Sequence, residues 1–386
     1  VKAPKEVSKV DKFARVRRLY PVTRNLIYFN HAAVSPLSTR AVKTLERQAR
    51  EQMGYAVERE DLWEERAEKG RRLAAKLLNA GPGEIAFVKN TTEGLNLFAR
   101  GLNWKKGDNV VLPRVEFPAN VYPWLSLESK GVRLKFVNER GGRIDAGDIE
   151  QAIDRRTRVV AMSFVEFSSG YRNDLERIGR ICRKRGAHLV VDGIQGVGAL
   201  RLDVKKCHIS AMSAAGHKWL MSPQGTGIFY CRAGVMRNLE HPMPGWMSVV
   251  GWEDYYNFDY TLFNDSRRYE SAQRNLLGLA ALMESLGLID ELGIRDIERR
   301  ILDITDYLCD LLGKRGFEVF SSRRDGEKSG IVSFYMKGRD PDRVREMLRR
   351  KRIIISARDG RLRVSPHYYN SFEEVERFVK ALPGPQ

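Results

Sequence analysis

The chain has 386 residues, of which 42% are hydrophobic and 9% aromatic, and this is enough for one large globular domain and a smaller companion. No apolar run approaches the ~20 residues needed to cross a bilayer, and the N-terminal VKAPKEVSKVDKFARVRRLYP lacks the short apolar core of a secretory signal. The formal net charge is +18, and the four cysteines (Cys182, Cys207, Cys231, Cys309) have no paired spacing, which argues against a disulfide framework or a metal site and suits a reducing cytoplasm.

In chain order, residues 38–78 carry helical periodicity, with Ala41, Leu45, Ala49, Leu62, Leu73 and Leu77–Leu78 on apolar faces. Short apolar runs follow at Ile85–Val88, Asn109–Leu112, Arg133–Val137, Val159–Phe164, His188–Val191 and Gly227–Cys231. Helical stretches such as Leu175–Arg185 lie between them. This alternation predicts an α/β fold: a mainly parallel sheet with helices on both faces and a site at the carboxyl ends of its strands. From about residue 265 the pattern becomes α+β, with helices over Asn275–Leu292 and Arg295–Lys314. Strands over Gly330–Tyr335, Ile353–Ser356 and Arg361–Ser365 and a final helix from Phe372 to Leu382 complete it. The expected organisation is an N-terminal segment (1–24) packing with the small domain, a large domain (25–264) and a small C-terminal domain (265–386).

Three places along this order carry polar groups that packing alone does not demand. In FVKNTTEGLNLFARGL an apolar strand gives way to Thr91 and Thr92 and then to a helix, whose first N–H groups with the two hydroxyls can hold an anion; the same residues read equally as a capping box. Asp192 ends the apolar strand of HLVVDGIQGVGA, as a helix cap or as a carboxylate that keeps a heterocyclic nitrogen protonated. In SAAGHKWLMSPQGTGIFY, Lys218 stands among small and aromatic residues where a buried strand should end. A partly desolvated amine there has a lowered pKa and becomes a nucleophile towards carbonyls. His217 beside it is a phosphate donor or a packed histidine. Together the three outline a pyridoxal phosphate site.

At these motifs the chain resembles the class V aminotransferases of fold type I, which include cysteine desulfurases, kynureninases and isopenicillin-epimerase-like proteins. The resemblance runs from YFNHAAVSPLS (28–38) through NTTEGLN (90–96), EFPANVYPW (116–124), VVDGIQGVGAL (190–200) and GHKWLMSPQGTGIFY (216–230), then RRYESAQRN (267–275), to RLRVSPHYYNSFEEVERF (361–378). It implies a pyridoxal-phosphate-dependent transferase fold with a mainly parallel mixed sheet sandwiched by helices, and a homodimer. It further implies a Schiff base at Lys218, which also moves the proton at Cα. Asp192 would meet the pyridinium nitrogen, Gln195 the cofactor hydroxyl, Thr91, Thr92 and His217 the phosphate, and Phe117 the ring face. Asn30, His31, Ala32 and Ala33 would line the substrate side, and Arg363 would grip the substrate carboxylate.

The departures shape the functional expectation. Phe117 stands where cysteine desulfurases have histidine, and no cysteine lies between Ile355 and Arg363, so a persulfide mechanism is not expected. Ala215, Phe167 and Gln273 replace the serine, asparagine and threonine that many members use around the cofactor. The expected activity is amino transfer between a small amino acid and a 2-oxo acid. The same residues would serve an epimerase or a β-eliminating lyase. A different class, a non-catalytic relative binding nucleic acid through clusters such as Arg349-Arg350-Lys351-Arg352, is disfavoured by the intact Lys218–Asp192 pair and the absence of a nucleic-acid module.

Overall fold

A computed structural model describes residues 12–384; the first eleven residues of the expected N-terminal segment lie outside them. A seven-stranded sheet organises the larger part. Its strands are β1 (Ile85–Val88), β2 (Asn109–Pro113), β3 (Arg133–Val137), β4 (Thr157–Ser163), β5 (His188–Asp192), β6 (Ile209–Ala215) and β7 (Gly227–Cys231). Their order is β1-β7-β6-β5-β4-β2-β3, and only β7 runs against the others. This is the α/β architecture with a mainly parallel, mixed sheet.

Alternation sends the two faces of each strand into separate cores, as the pleat requires. Val111, Val160, Met162, Leu189, Val191 and Met212 enter one; Val110, Leu112, Val159, Ala161, Val190 and Ala211 enter the other. Strand β6 is the element whose extent the apolar runs did not reveal, although the lysine turn marked where a buried strand should end. Its ISAMSAA is rich in small residues, which carry little hydrophobic signal yet are fully buried because helix α3 (Thr91–Gly101) lies tightly on them. A Cβ on Gly94 would come within 2.4 Å of the Ser213 hydroxyl, so glycine permits that approach.

The helical periodicity of 38–78 resolves into two helices, α1 (Thr39–Tyr55) and α2 (Glu60–Leu78), separated by one 3₁₀ turn. Both pack against a later helix, Leu276–Leu292, whose Leu279, Leu282, Leu286 and Ile289 join the core beside the sheet. A three-stranded antiparallel sheet is built from β8 (Val332–Tyr335), β9 (Ser356–Arg358) and β10 (Arg361–Val364), in the order β9-β10-β8. It packs with helices Ile294–Lys314, Pro341–Arg350 and Phe372–Ala381 around Leu308, Phe334, Leu348, Leu362 and Phe378. The two ends of the chain meet there. Ile27 and Tyr28 pair in parallel with Ile353 and Ile354, Tyr20 stacks on Tyr369 at 4.3 Å, and Arg17 makes a two-pronged ion pair with Glu374 at 2.8 Å.

Candidate active site

The parallel strands deliver their carboxyl ends to one edge, where a cavity of about 360 Å³ opens. Thr91, Thr92, Phe117, Asp192, Gln195, His217, Lys218 and Arg363 all line it.

The anion cradle lies at the start of α3. The helix is capped by Asn90, whose side chain accepts the Glu93 N–H at 2.9 Å, so the two threonines are not needed as caps. The Thr91 hydroxyl oxygen accepts the backbone N–H of Ala215 at 3.0 Å, which leaves its own O–H to donate elsewhere. Thr92 is exposed towards the cavity mouth.

Asp192 is buried at the end of β5, and its carboxylate accepts the Ile194 N–H at 3.0 Å. Burial pushes its pKa up to about 6, against the pull of that hydrogen bond and of Lys218. Lys218 follows β6 in a turn held on several sides. The His367 Nε2–H donates to the Trp219 carbonyl at 3.0 Å, and the Trp219 indole donates to Gln195 Oε1, also at 3.0 Å. Met221 adopts a positive φ of 50°, and its carbonyl accepts the Ser285 hydroxyl at 2.9 Å. A side chain in this backbone region costs free energy that the surrounding contacts must supply. Desolvation brings the Lys218 pKa down to about 8; Asp192 opposes this, while Arg363 and Arg358 add to it. The amine lies 5.5 Å from the centroid of the Phe117 ring, which meets Phe167 edge to face. His217, half-buried, is held below its ordinary pKa by desolvation and by Lys218.

Arg363 is 2% exposed. Its Nε donates to Ser356 Oγ at 3.0 Å and Nη1 to the Phe167 carbonyl at 2.6 Å, and it makes no ion pair among the described residues. A buried guanidinium without a counter-ion is unfavourable, and a bound carboxylate would relieve it. Burial and Arg358 lower its pKa to about 10.

Two expected residues stand apart from the cavity. His31 is fully buried: Nδ1–H faces the Ser365 carbonyl at 2.8 Å, so Nε2 accepts from the Tyr369 hydroxyl at 2.7 Å. Burial lowers its pKa to about 4, and this neutral ring ties residues 28–33 to the C-terminal region. Asn30 forms a bridge with Ser365, and of the four residues expected on the substrate side Ala32 and Ala33 reach the cavity. Gln273 is exposed and Ala215 lines the cavity.

Three further acids and bases escape a reading of the sequence. Glu116 and Glu166 are buried near Asp192. Glu116 accepts both the N–H and the hydroxyl of Ser163 at 2.6 Å, and burial carries its pKa up to about 7. Glu166 is raised further by burial and by Glu116, and takes one bond from Asn173 at 2.7 Å. Arg358 also lines the cavity. Its signal was present in the sequence: Asp359-Gly360 is a two-residue hairpin turn, with φ of 48° and 71°, and alternation then puts Arg358 on the face of Arg363.

A profile described as Aminotransferase class-V matches residues 27–378. A probable cysteine desulfurase of Methanothermobacter thermautotrophicus is 30% identical over 392 residues, covering 95% of this chain and 96% of that protein. The apo structure of a cysteine desulfurase from Thermococcus onnurineus NA1 superposes with a TM-score of 0.87 at 27% identity, covering 97% of this chain and 98% of the other. A variant of C-DES with glycine covalently linked to its PLP cofactor superposes with a TM-score of 0.88 at 21% identity over 94% and 98% of the two chains, a likeness of fold.

The chain therefore belongs to the class-V aminotransferase family and has the fold of type I pyridoxal-phosphate enzymes. It is a pyridoxal-phosphate-dependent enzyme, and its cavity fits that cofactor: a helix N-terminus with a donor hydroxyl, a buried acid at one end, an amine between them and an aromatic ring alongside.

Proposed function

We propose that the protein is an aminotransferase acting on a small amino acid and a 2-oxo acid. The observation that carries this reading is the Lys218 amine, with its pKa near 8, in one cavity with Asp192 and an unpaired, buried Arg363. Pyridoxal phosphate, when bound, supplies the electron sink conjugated to the substrate Cα. Thr91, Thr92 and His217 hold its phosphate, Asp192 holds the proton on its ring nitrogen, and Phe117 covers a ring face. Arg363 fixes the substrate α-carboxylate, and this fixes which Cα bond is aligned for cleavage. Lys218, neutral in a useful fraction near neutral pH, takes and returns the Cα proton.

The relatives named probable cysteine desulfurase favour a second reading, a lyase that expels a group from Cβ. The thiols argue against a persulfide carried by this chain. None lines the cavity, and burial raises Cys182 and Cys231 to about 12 and Cys207 and Cys309 to about 11.

A homodimer in a reducing compartment completes the proposal. Exposed Trp246, Tyr255, Tyr256, Phe258 and Tyr260 form an apolar loop of the kind that association covers, and all four cysteines are unpaired. No helix among the described residues is long and apolar enough to cross a membrane.

The test is borohydride reduction of the cofactor-loaded protein followed by peptide mapping, then incubation with an amino acid alone. A pyridoxyl group on Lys218 and accumulation of the amine form of the cofactor support transfer. Release of pyruvate with sulfide or ammonia, without the amine form, would replace transfer with the lyase.

A further inference from the structure

Strands β9 and β10 put three arginines on one face. Ser356 pairs with Arg363 and Arg358 with Arg361, and directly opposed residues of an antiparallel pair project the same way. The three have different electrostatic surroundings. Arg361 bonds Asp359 at 3.3 Å and Ser168 Oγ at 3.0 Å and lies over the Phe320 ring. Arg363 is buried and takes the α-carboxylate in the reading above. Arg358 is exposed at the cavity, donates only to the carbonyl of its neighbour Ala357 at 2.7 Å, and makes no ion pair among the described residues.

The neighbouring acid does not neutralise it. Asp359 is drawn away by the Ser168 hydroxyl and Arg361. Asp192 is the one carboxylate among the cavity-lining residues, and it lies at the end of β5 where the ring nitrogen is held. Arg358 lines the cavity with Lys218 and shares the strand face of Arg363, which puts its charge on the substrate side. With the cofactor phosphate assigned to α3 and the α-carboxylate to Arg363, one guanidinium remains without an anion. A substrate with one acid group leaves it so; a substrate with two does not.

We propose that Arg358 is a specificity-determining residue that binds the side-chain acid group of an amino dicarboxylic acid, and of the matching 2-oxo diacid, while Arg363 holds the α-carboxylate. The inference rests on the cavity being an amino acid site, as proposed above. It makes the preferred substrates members of the aspartate and glutamate class rather than neutral amino acids. A planar, permanently charged fork suits that task, since it can meet a carboxylate through two parallel hydrogen bonds.

Calorimetric titration of the cofactor-loaded protein with unreactive acids tests this without relying on turnover. Succinate and glutarate are the two-acid probes and propionate is the one-acid probe. One diacid is expected to bind about tenfold or more tightly than propionate. Arg358→Met is expected to erase that preference while leaving propionate affinity unchanged, and Arg358→Lys to keep part of it. Equal binding of mono- and diacids by the parent, or equal loss of both in Arg358→Met, would overturn the assignment of Arg358 alone. Failure of every acid to bind, together with no change on Arg363→Met, would overturn the amino acid site itself and the proposal with it.

Discussion

The hydroxyl oxygen of Thr91, at the first turn of α3, accepts the backbone N–H of Ala215, the last residue of β6, at 3.0 Å. This bond joins the anion cradle to the strand that carries the lysine turn, so cradle and amine are tied to each other by a direct contact. Its acceptor role leaves a single O–H to aim at a phosphate. Thr91→Val removes the donor and strands a buried N–H, a change that costs about 1–3 kcal/mol in stability. Equilibrium dialysis should register roughly tenfold weaker pyridoxal phosphate binding in this variant. Thr91→Ser should keep nearly full affinity, and a weak Thr91→Ser would mean that shape, not the hydroxyl, decides.

The buried carboxylates make a pH-dependent liability of the cofactor-free protein. Asp192 and Glu116 have folded-state pKa values of about 6 and 7, above their unfolded values, so between roughly pH 4 and 7 these two groups hold protons in the folded chain that they would release on unfolding. Their contribution to stability therefore falls as pH rises through that window, while buried histidines such as His31 and His188, lowered to about 4, contribute with the opposite sign. Thermal melts of the cofactor-free parent and of Glu116→Gln should show the variant's advantage in Tm growing from pH 5 to pH 8, since the histidines are common to both. Glu116→Gln should gain on the order of 2 kcal/mol relative to the parent at pH 8 and little at pH 4. Loading with pyridoxal phosphate, which brings a positive ring nitrogen to Asp192, should flatten the curve.

A buried ion pair locks α2 to the segment that precedes helix Leu276–Leu292. Arg71 meets Glu270 through two bonds of 2.8 and 2.9 Å, both side chains are almost fully buried, and Glu270 also accepts the Phe87 N–H of β1. Removing one partner leaves the other charge stranded. Glu270→Leu is expected to destabilise the fold by about 3–5 kcal/mol in urea titration. A loss below about 1 kcal/mol would mean that Glu68, which also pairs with Arg71, had taken over the charge balance.

The exposed aromatic loop gives the association test. Tyr256 and Phe258 are each 93% exposed, an unfavourable arrangement for side chains of that size in an isolated subunit. Tyr256→Ser with Phe258→Ser should shift sedimentation from dimer to monomer at micromolar concentration. A parent protein that sediments as a monomer at every concentration would remove the homodimer from the proposal.

Much of the site was legible in the sequence because each strand end announces itself through a break from apolar to polar residues. NTTEG after Ile85–Val88, Asp192 after LVV and Lys218 after SAAGH are such breaks, and the structure brings all three to one cavity. The end of β6 was thus legible but its start and extent were not, because Ala and Ser report close packing with α3 rather than hydrophobicity. The positions of His31 and Asn30 were equally hidden. Their burial depends on Ser365 and Tyr369, more than 300 residues away, and no local pattern encodes such a contact. Glu116 and Glu166 have the same explanation: a carboxylate in a loop reads as solvated until the fold covers it.

The pairing of Ile27 and Tyr28 with Ile353 and Ile354 sets an order of assembly during synthesis. Every strand of the seven-stranded sheet, and every residue assigned to the cofactor, precedes residue 232, whereas Arg358 and Arg363 leave the ribosome last. At about 5–20 residues per second, that interval lasts on the order of ten seconds. A nascent chain can thus carry every strand of the cofactor floor before it has any grip on a substrate, while Ser285 and His367, which hold the lysine turn, are still to come. The lysine is synthesised first, but the contact from His367 that holds its turn, like the arginines proposed to choose its substrate, arrives only as the ends of the chain close on each other.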